Sequence, residues 1–76
     1  MTLQELLDKR YSKEEQKKES FIIAHSENIT SLENDGHLIN VKDLYIKYNE
    51  LKSLKGIELI PNLKQMLIYR NPLEDI

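Results

Sequence analysis

Two groups of side chains in this 76-residue chain raise the question of a reactive or recognition site. The first is His25 with its neighbour Ser26, and His37 beyond them; these are the two histidines present. A histidine beside a serine suggests a base and a nucleophile, but consecutive residues of an extended strand point to opposite faces, so the ring cannot take the hydroxyl proton. A metal site needs three or four converging ligands, and there is no cysteine and no HExxH pairing. His37 follows Gly36 in a turn and is expected to be exposed. No GxGxxG, P-loop or GxSxG segment occurs. We therefore expect no catalysis, no cofactor and no metal. The second group is Ile23, His25, Tyr45, Lys47, Tyr48, Leu67, Tyr69 and Arg70. Its chemistry is recognition, because Tyr and Arg bury much area for few lost rotamers and still make hydrogen bonds.

Composition bounds the partners. Eleven Lys and Arg against thirteen Asp and Glu leave a net charge of −2, which gives no whole-molecule pull toward nucleic acid. The opening MTLQELLDKR lacks the apolar run of a signal peptide. No segment approaches the roughly 20 apolar residues that a membrane span needs. A cytoplasmic protein with no membrane partner is expected. One domain of this size buries only roughly 60% of its unfolded surface, so regular packing or a partner must help to hold it.

The elements that position the second group follow from an internal period. Asn49 and Asn71 are 22 residues apart, and at the same offset Val41, Leu44, Ile46, Leu51 and Leu54 meet Leu63, Met66, Ile68, Leu73 and Ile76. Another step back reaches Glu19, Ile22, Ala24, Glu27, Ile29 and Leu32, which keeps four apolar positions and loses the Asn. The segments VKDLYIKYNEL and LKQMLIYRNPL thus share the pattern LxxLxLxxNxL. In this pattern and period the chain resembles the leucine-rich repeat family, in its 22-residue intracellular form like the protein-phosphatase-1 regulators. The resemblance covers roughly residues 21–76. It implies an α/β solenoid, with about three short repeats (21–40, 41–62 and 63–76) carrying a small parallel sheet.

The residues fit that expectation physically. Leu44 and Ile46 alternate with Tyr45 and Lys47, as a strand with one buried face does. Asn49 and Asn71 fall where the chain leaves the strand, and a carboxamide can satisfy donors and acceptors freed by the turn. Glu27 occupies the first such position, with Asn28 next to it as an alternative rung. Gly56 and Pro61 suggest a tight return with a short 3₁₀ turn, and Asn34-Asp35-Gly36 marks a turn in the return before it.

Residues 1–20 follow a different rule. Thr2 with Glu5 and Ser12 with Glu15 fit helix capping boxes, predicting one kinked helix or two consecutive ones. Leu3, Leu6, Leu7 and Tyr11 share one face. This segment is expected to cap the first edge of the sheet, which would otherwise expose apolar core. The end at Ile76 shows no matching cap. Continuation in a longer repeat protein, a homodimer through that edge, or coverage by a partner would each account for it.

With Ile22, Ala24, Leu44, Ile46, Met66 and Ile68 pointing in, the outward residues stack in columns on the concave face: Ile23, Tyr45 and Leu67; His25, Lys47 and Tyr69; and Ser26, Tyr48 and Arg70 at the strand ends. The expected function is non-enzymatic protein binding through this face, as a regulator or inhibitor of a larger enzyme, of the kind a virus could encode. The alternatives are single-stranded nucleic-acid binding through the same Tyr, Lys and Arg side chains, and a structural fragment of a longer repeat protein.

Overall fold

The two capping boxes form as the sequence predicts, and they make two helices rather than one. In the computed structural model, which describes residues 1–74, the Thr2 hydroxyl accepts from the Glu5 N–H and the Glu5 carboxylate accepts from the Thr2 N–H, opening α1 (Leu3–Arg10). Tyr11 is extended and Ser12 repeats the arrangement with Glu15, opening α2 (Lys13–Lys18). Re-capping costs the chain one break and satisfies a second set of N-terminal donors. Leu3, Leu6 and Leu7 are buried in the core, and Tyr11 packs against it. Among the described residues no helix is long and apolar enough to cross a membrane.

Three short strands follow: β1 (Phe21–Ile23), β2 (Asp43–Tyr45) and β3 (Gln65–Leu67). They form one parallel sheet in the order β1-β2-β3. Ile22, Leu44 and Met66 stand abreast, which is the 22-residue offset of the sequence. The inward residues Ile22, Ala24, Leu44 and Ile46 are fully buried, whereas Met66 and Ile68, on the edge strand, are half-buried. Each fully buried aliphatic chain contributes roughly 1.5–3 kcal/mol, so most of the stability is concentrated on the α1 side of the molecule. Ile76 and its pairing with Leu54 lie outside the described residues.

The loops that leave the strands are held by side-chain amides. Asn49 Oδ1 accepts from the N–H groups of Glu27 (2.9 Å) and Ile29 (3.0 Å), and its Nδ2 donates to the carbonyls of Ala24 and Ile46 (each 2.9 Å) and Lys47 (3.2 Å). Asn71 repeats this one strand on, accepting from Leu51 N–H and donating to the carbonyls of Ile46 and Ile68. The first rung corrects the sequence reading. Neither Glu27 nor Asn28 supplies an amide there. Arg10, at the end of α1, donates to the Ile23 carbonyl and pairs with the Glu27 carboxylate at 2.8 Å. Asn28 is exposed, with φ 58°, and its carbonyl accepts from the Met1 amine. A guanidinium carries donors but no acceptor, so a carboxylate beside it is the complement that an amide elsewhere needs no help to provide.

The returns are equally specific. Gly56, at φ 109°, opens the 3₁₀ turn Ile57–Leu59. Asn34, nearly buried, donates to the carbonyls of Leu32 and Gly56 and accepts from Gly36 N–H. His37, expected to be exposed, is half-buried in this return.

One polar knot ties the helices to each other. Gln16 is fully buried, accepting from Gln4 and donating to Asp8 Oδ1 and the Tyr11 carbonyl. Asp8 Oδ1 also accepts from Gln4 and from Lys13. The Gln16 amide first, then Lys13 and Gln4, draw the Asp8 carboxyl from its ordinary 3.8 down to about 2. A carboxyl depressed by folding stabilises the fold above its unfolded pKa and loses that contribution as pH falls through the folded one. Acid titration followed by circular dichroism should therefore show stability falling between pH 3.8 and about 2. In Asp8→Asn that component of the acid transition should disappear; an unchanged acid profile would refute the assignment.

Candidate functional site

The outward side of the sheet carries the residues picked out by type. Register sets Ile23, Tyr45 and Leu67 abreast, with Phe21, Asp43 and Gln65 beside them. Backbone pairing continues past the strands, since Ser26 N–H donates to the Lys47 carbonyl and Tyr48 N–H to the Tyr69 carbonyl, each at 3.0 Å. His25, Lys47 and Tyr69 are therefore neighbours in the same offset, followed by Ser26, Tyr48 and Arg70. All eight residues expected at a binding face belong to this one surface and its edge.

Their exposure shows that they are not shielding one another completely. Ile23 is 47% exposed, Tyr48 57% and Tyr69 66%, while Tyr45, His25, Lys47 and Leu67 are half-buried. Phe21, 42% exposed, adds to this strip. Its ring meets Tyr45 edge-on at a centroid distance of 4.7 Å, and the His25 ring stacks near Tyr45 at 6.3 Å. Phe21 is outside the eight residues expected to bind, although strand alternation already puts it on the outward face, one alternation before Ile23. Among the described residues the other large exposed apolar side chains, Ile39 and Leu59, lie in the returns.

His25 has a fixed hydrogen-bonding role. Its Nδ1 accepts from the Lys47 N–H at 2.9 Å. In the neutral ring the proton then sits on Nε2, leaving a donor on that atom. The ring nitrogen that a base would need on this side is thus used in the sheet, and among the described residues no three His, Asp or Glu side chains gather as a metal-binding group.

Backbone conformation marks the strand ends. Ser26, Tyr48 and Arg70 all have left-handed φ values, 56°, 59° and 64°. This is the bend by which the chain leaves each strand, and glycine would adopt it without strain. A Tyr or Arg there costs about 1 kcal/mol relative to glycine. Exposed as they are, Tyr48 and Arg70 recover little of this by burial.

Arg10 is paired with Glu27, Lys13 with Asp8 and Asp35, and Lys17 with Glu14. Lys47 and Arg70 have no ion pair among the described residues. A cleft of about 460 Å³ lies elsewhere, between α1 and the returns, lined by Glu5, Asp8, Glu33, Asp35, Lys55 and Glu58 among others. It contains none of the eight recognition residues. Compared with protein-family models, with curated proteins and with solved structures, the chain gives no match in any of the three.

Proposed function

We propose that this chain is a non-enzymatic protein-binding module of the leucine-rich-repeat kind. In this reading the helices cap a minimal solenoid, and the outward sheet face takes another protein, whose activity it regulates or inhibits. The observation that carries the reading is the strip running from the exposed Phe21 and Ile23 through the half-buried Tyr45 to the exposed Tyr48 and Tyr69, flanked by Lys47 and Arg70. Such a patch, apolar at its centre and polar at its rim, has the anatomy of an interface. The left-handed backbone at Tyr48 and Arg70 supports it independently. Large side chains are kept where glycine would be more stable, and strained positions of this sort concentrate where function needs them.

That strain supplies a test free of the usual ambiguity about misfolding. Tyr48→Gly with Arg70→Gly should raise stability by about 1–2 kcal/mol in denaturant melts, since two strained residues are relieved and little burial is lost. The same double variant should fail to capture the partner that the wild-type chain retains from native lysate. Equal capture by both proteins would remove the strand ends from the site.

A further inference from the structure

We infer that the strand-end half of this face reads a carboxylate, so that the partner presents an Asp or Glu side chain next to a large apolar residue in an extended segment. The inference rests on the protein-binding reading and narrows it. Three donor-bearing residues stand at neighbouring register positions: Lys47 abreast of His25, whose Nδ1 is already engaged by the Lys47 backbone so that a neutral ring carries its proton on Nε2, and Arg70 one residue beyond Tyr69 on the next strand. Neither cation has a carboxylate partner among the described residues, as holds for most lysines of the chain, so both are available to one. Glu27, at the end of the neighbouring strand, is committed to Arg10. Beside these donors stand Tyr48 and Tyr69, both more than half exposed, and the Ile23–Tyr45–Leu67 row. Arg and Lys bind carboxylates by charge-assisted hydrogen bonds, and an apolar neighbour excludes the water that would weaken them. Asp43, at the opposite end of the same strand, places the face's own carboxylate away from the donors, which orients an acidic segment along the strands.

Selection of short random peptides displayed on phage against the intact chain tests this directly. The enriched sequences should place Asp or Glu beside a large apolar residue, and replacing that acid by its amide in an end-blocked synthetic peptide should weaken binding about tenfold or more. Lys47→Gln and Arg70→Gln should each weaken the acidic peptide and leave the amide peptide unaffected. Peptides without acids, indifferent to both Gln variants yet lost in Ile23→Ala with Tyr69→Ala, would overturn the carboxylate assignment and leave the binding face standing. No enrichment, or preferential retention of single-stranded oligouridylate with steep salt dependence, would overturn both.

Discussion

Asn49→Ala should leave the chain largely unfolded at physiological temperature. The side chain is 4% exposed and serves five backbone groups in two successive loops. Water cannot replace it at Ile29 N–H or at the Ala24 carbonyl, where the bonds are buried, whereas the Ile46 carbonyl keeps its second donor, Asn71. Each orphaned buried group costs about 1–3 kcal/mol, so a loss of about 4 kcal/mol or more is expected even after relaxation. A domain of this length has a total stability of roughly 4–11 kcal/mol. Thermal melts should show Tm lowered by about 15 °C or more, if a transition remains. Asn49→Asp separates the two functions of the amide. It keeps the acceptor for Glu27 and Ile29 N–H but sets its second oxygen, in place of the amide nitrogen, against carbonyls that need a donor, and it should be as damaging as Ala at neutral pH. A near-wild-type melt for either variant would show that the loops hold without the ladder. Asn71→Ala gives the internal scale: it is half-buried and accepts from one N–H rather than two, so its cost should be well below that of Asn49.

Gly56→Ala should be the second most damaging single change, for a different reason. The backbone stands at φ 109°, outside the region that a side chain tolerates, and an added Cβ would lie 2.5 Å from the Leu32 carbonyl oxygen and 2.7 Å from its carbon. These are main-chain atoms of the neighbouring return, so no rotamer change relieves the clash. The Gly56 carbonyl is also one of the two that Asn34 bridges, so displacing residue 56 opens the hydrogen bond that joins the returns. Strain and lost bonding together should cost about 3–5 kcal/mol. Gly36→Ala is the control, because φ 80° carries strain but nothing lies within 4 Å of the added atom. Denaturant midpoints should place Gly36→Ala about 1 kcal/mol below wild type and Gly56→Ala far lower. Equal midpoints would show that the close approach to Leu32 is not maintained in solution.

Much of this arrangement is written in spacing. Asn49 and Asn71, Leu44 and Met66, and Tyr45 and Leu67 sit 22 residues apart, and the strands pair at that offset. The pattern predicts the register because a repeat in a parallel stack brings like positions together. Thr2, Glu5, Ser12 and Glu15 predict both helix starts because a capping box is a local exchange of hydrogen bonds. The parts that escape the pattern depend on tertiary placement. Arg10 reaches Ile23 and Glu27 across intervals with no periodicity, so the repeat pattern points to an amide at 27 or 28 where the partner comes from α1. Tyr48 and Arg70 are poor candidates by type for left-handed backbone, which Asn and Gly favour, and nothing local announces that bend. The outward place of Phe21 follows from strand alternation, but its edge-on contact with Tyr45 is a cross-strand fact.

Burial falls from one side of the sheet to the other. Ile22, Ala24, Leu44 and Ile46 are sealed, but Leu63, Met66, Ile68 and Leu73 are only partly covered. Local opening requires least work where least apolar surface is covered, so hydrogen exchange should quicken from β1 toward β3, with β3 detaching while α1 and the first two strands remain closed. A ligand lying across all three strands would have to wait for β3 to be docked and would then hold it there. Its affinity would include the free energy of closing that strand, and its presence would be visible as slowed amide exchange well away from any residue it touches.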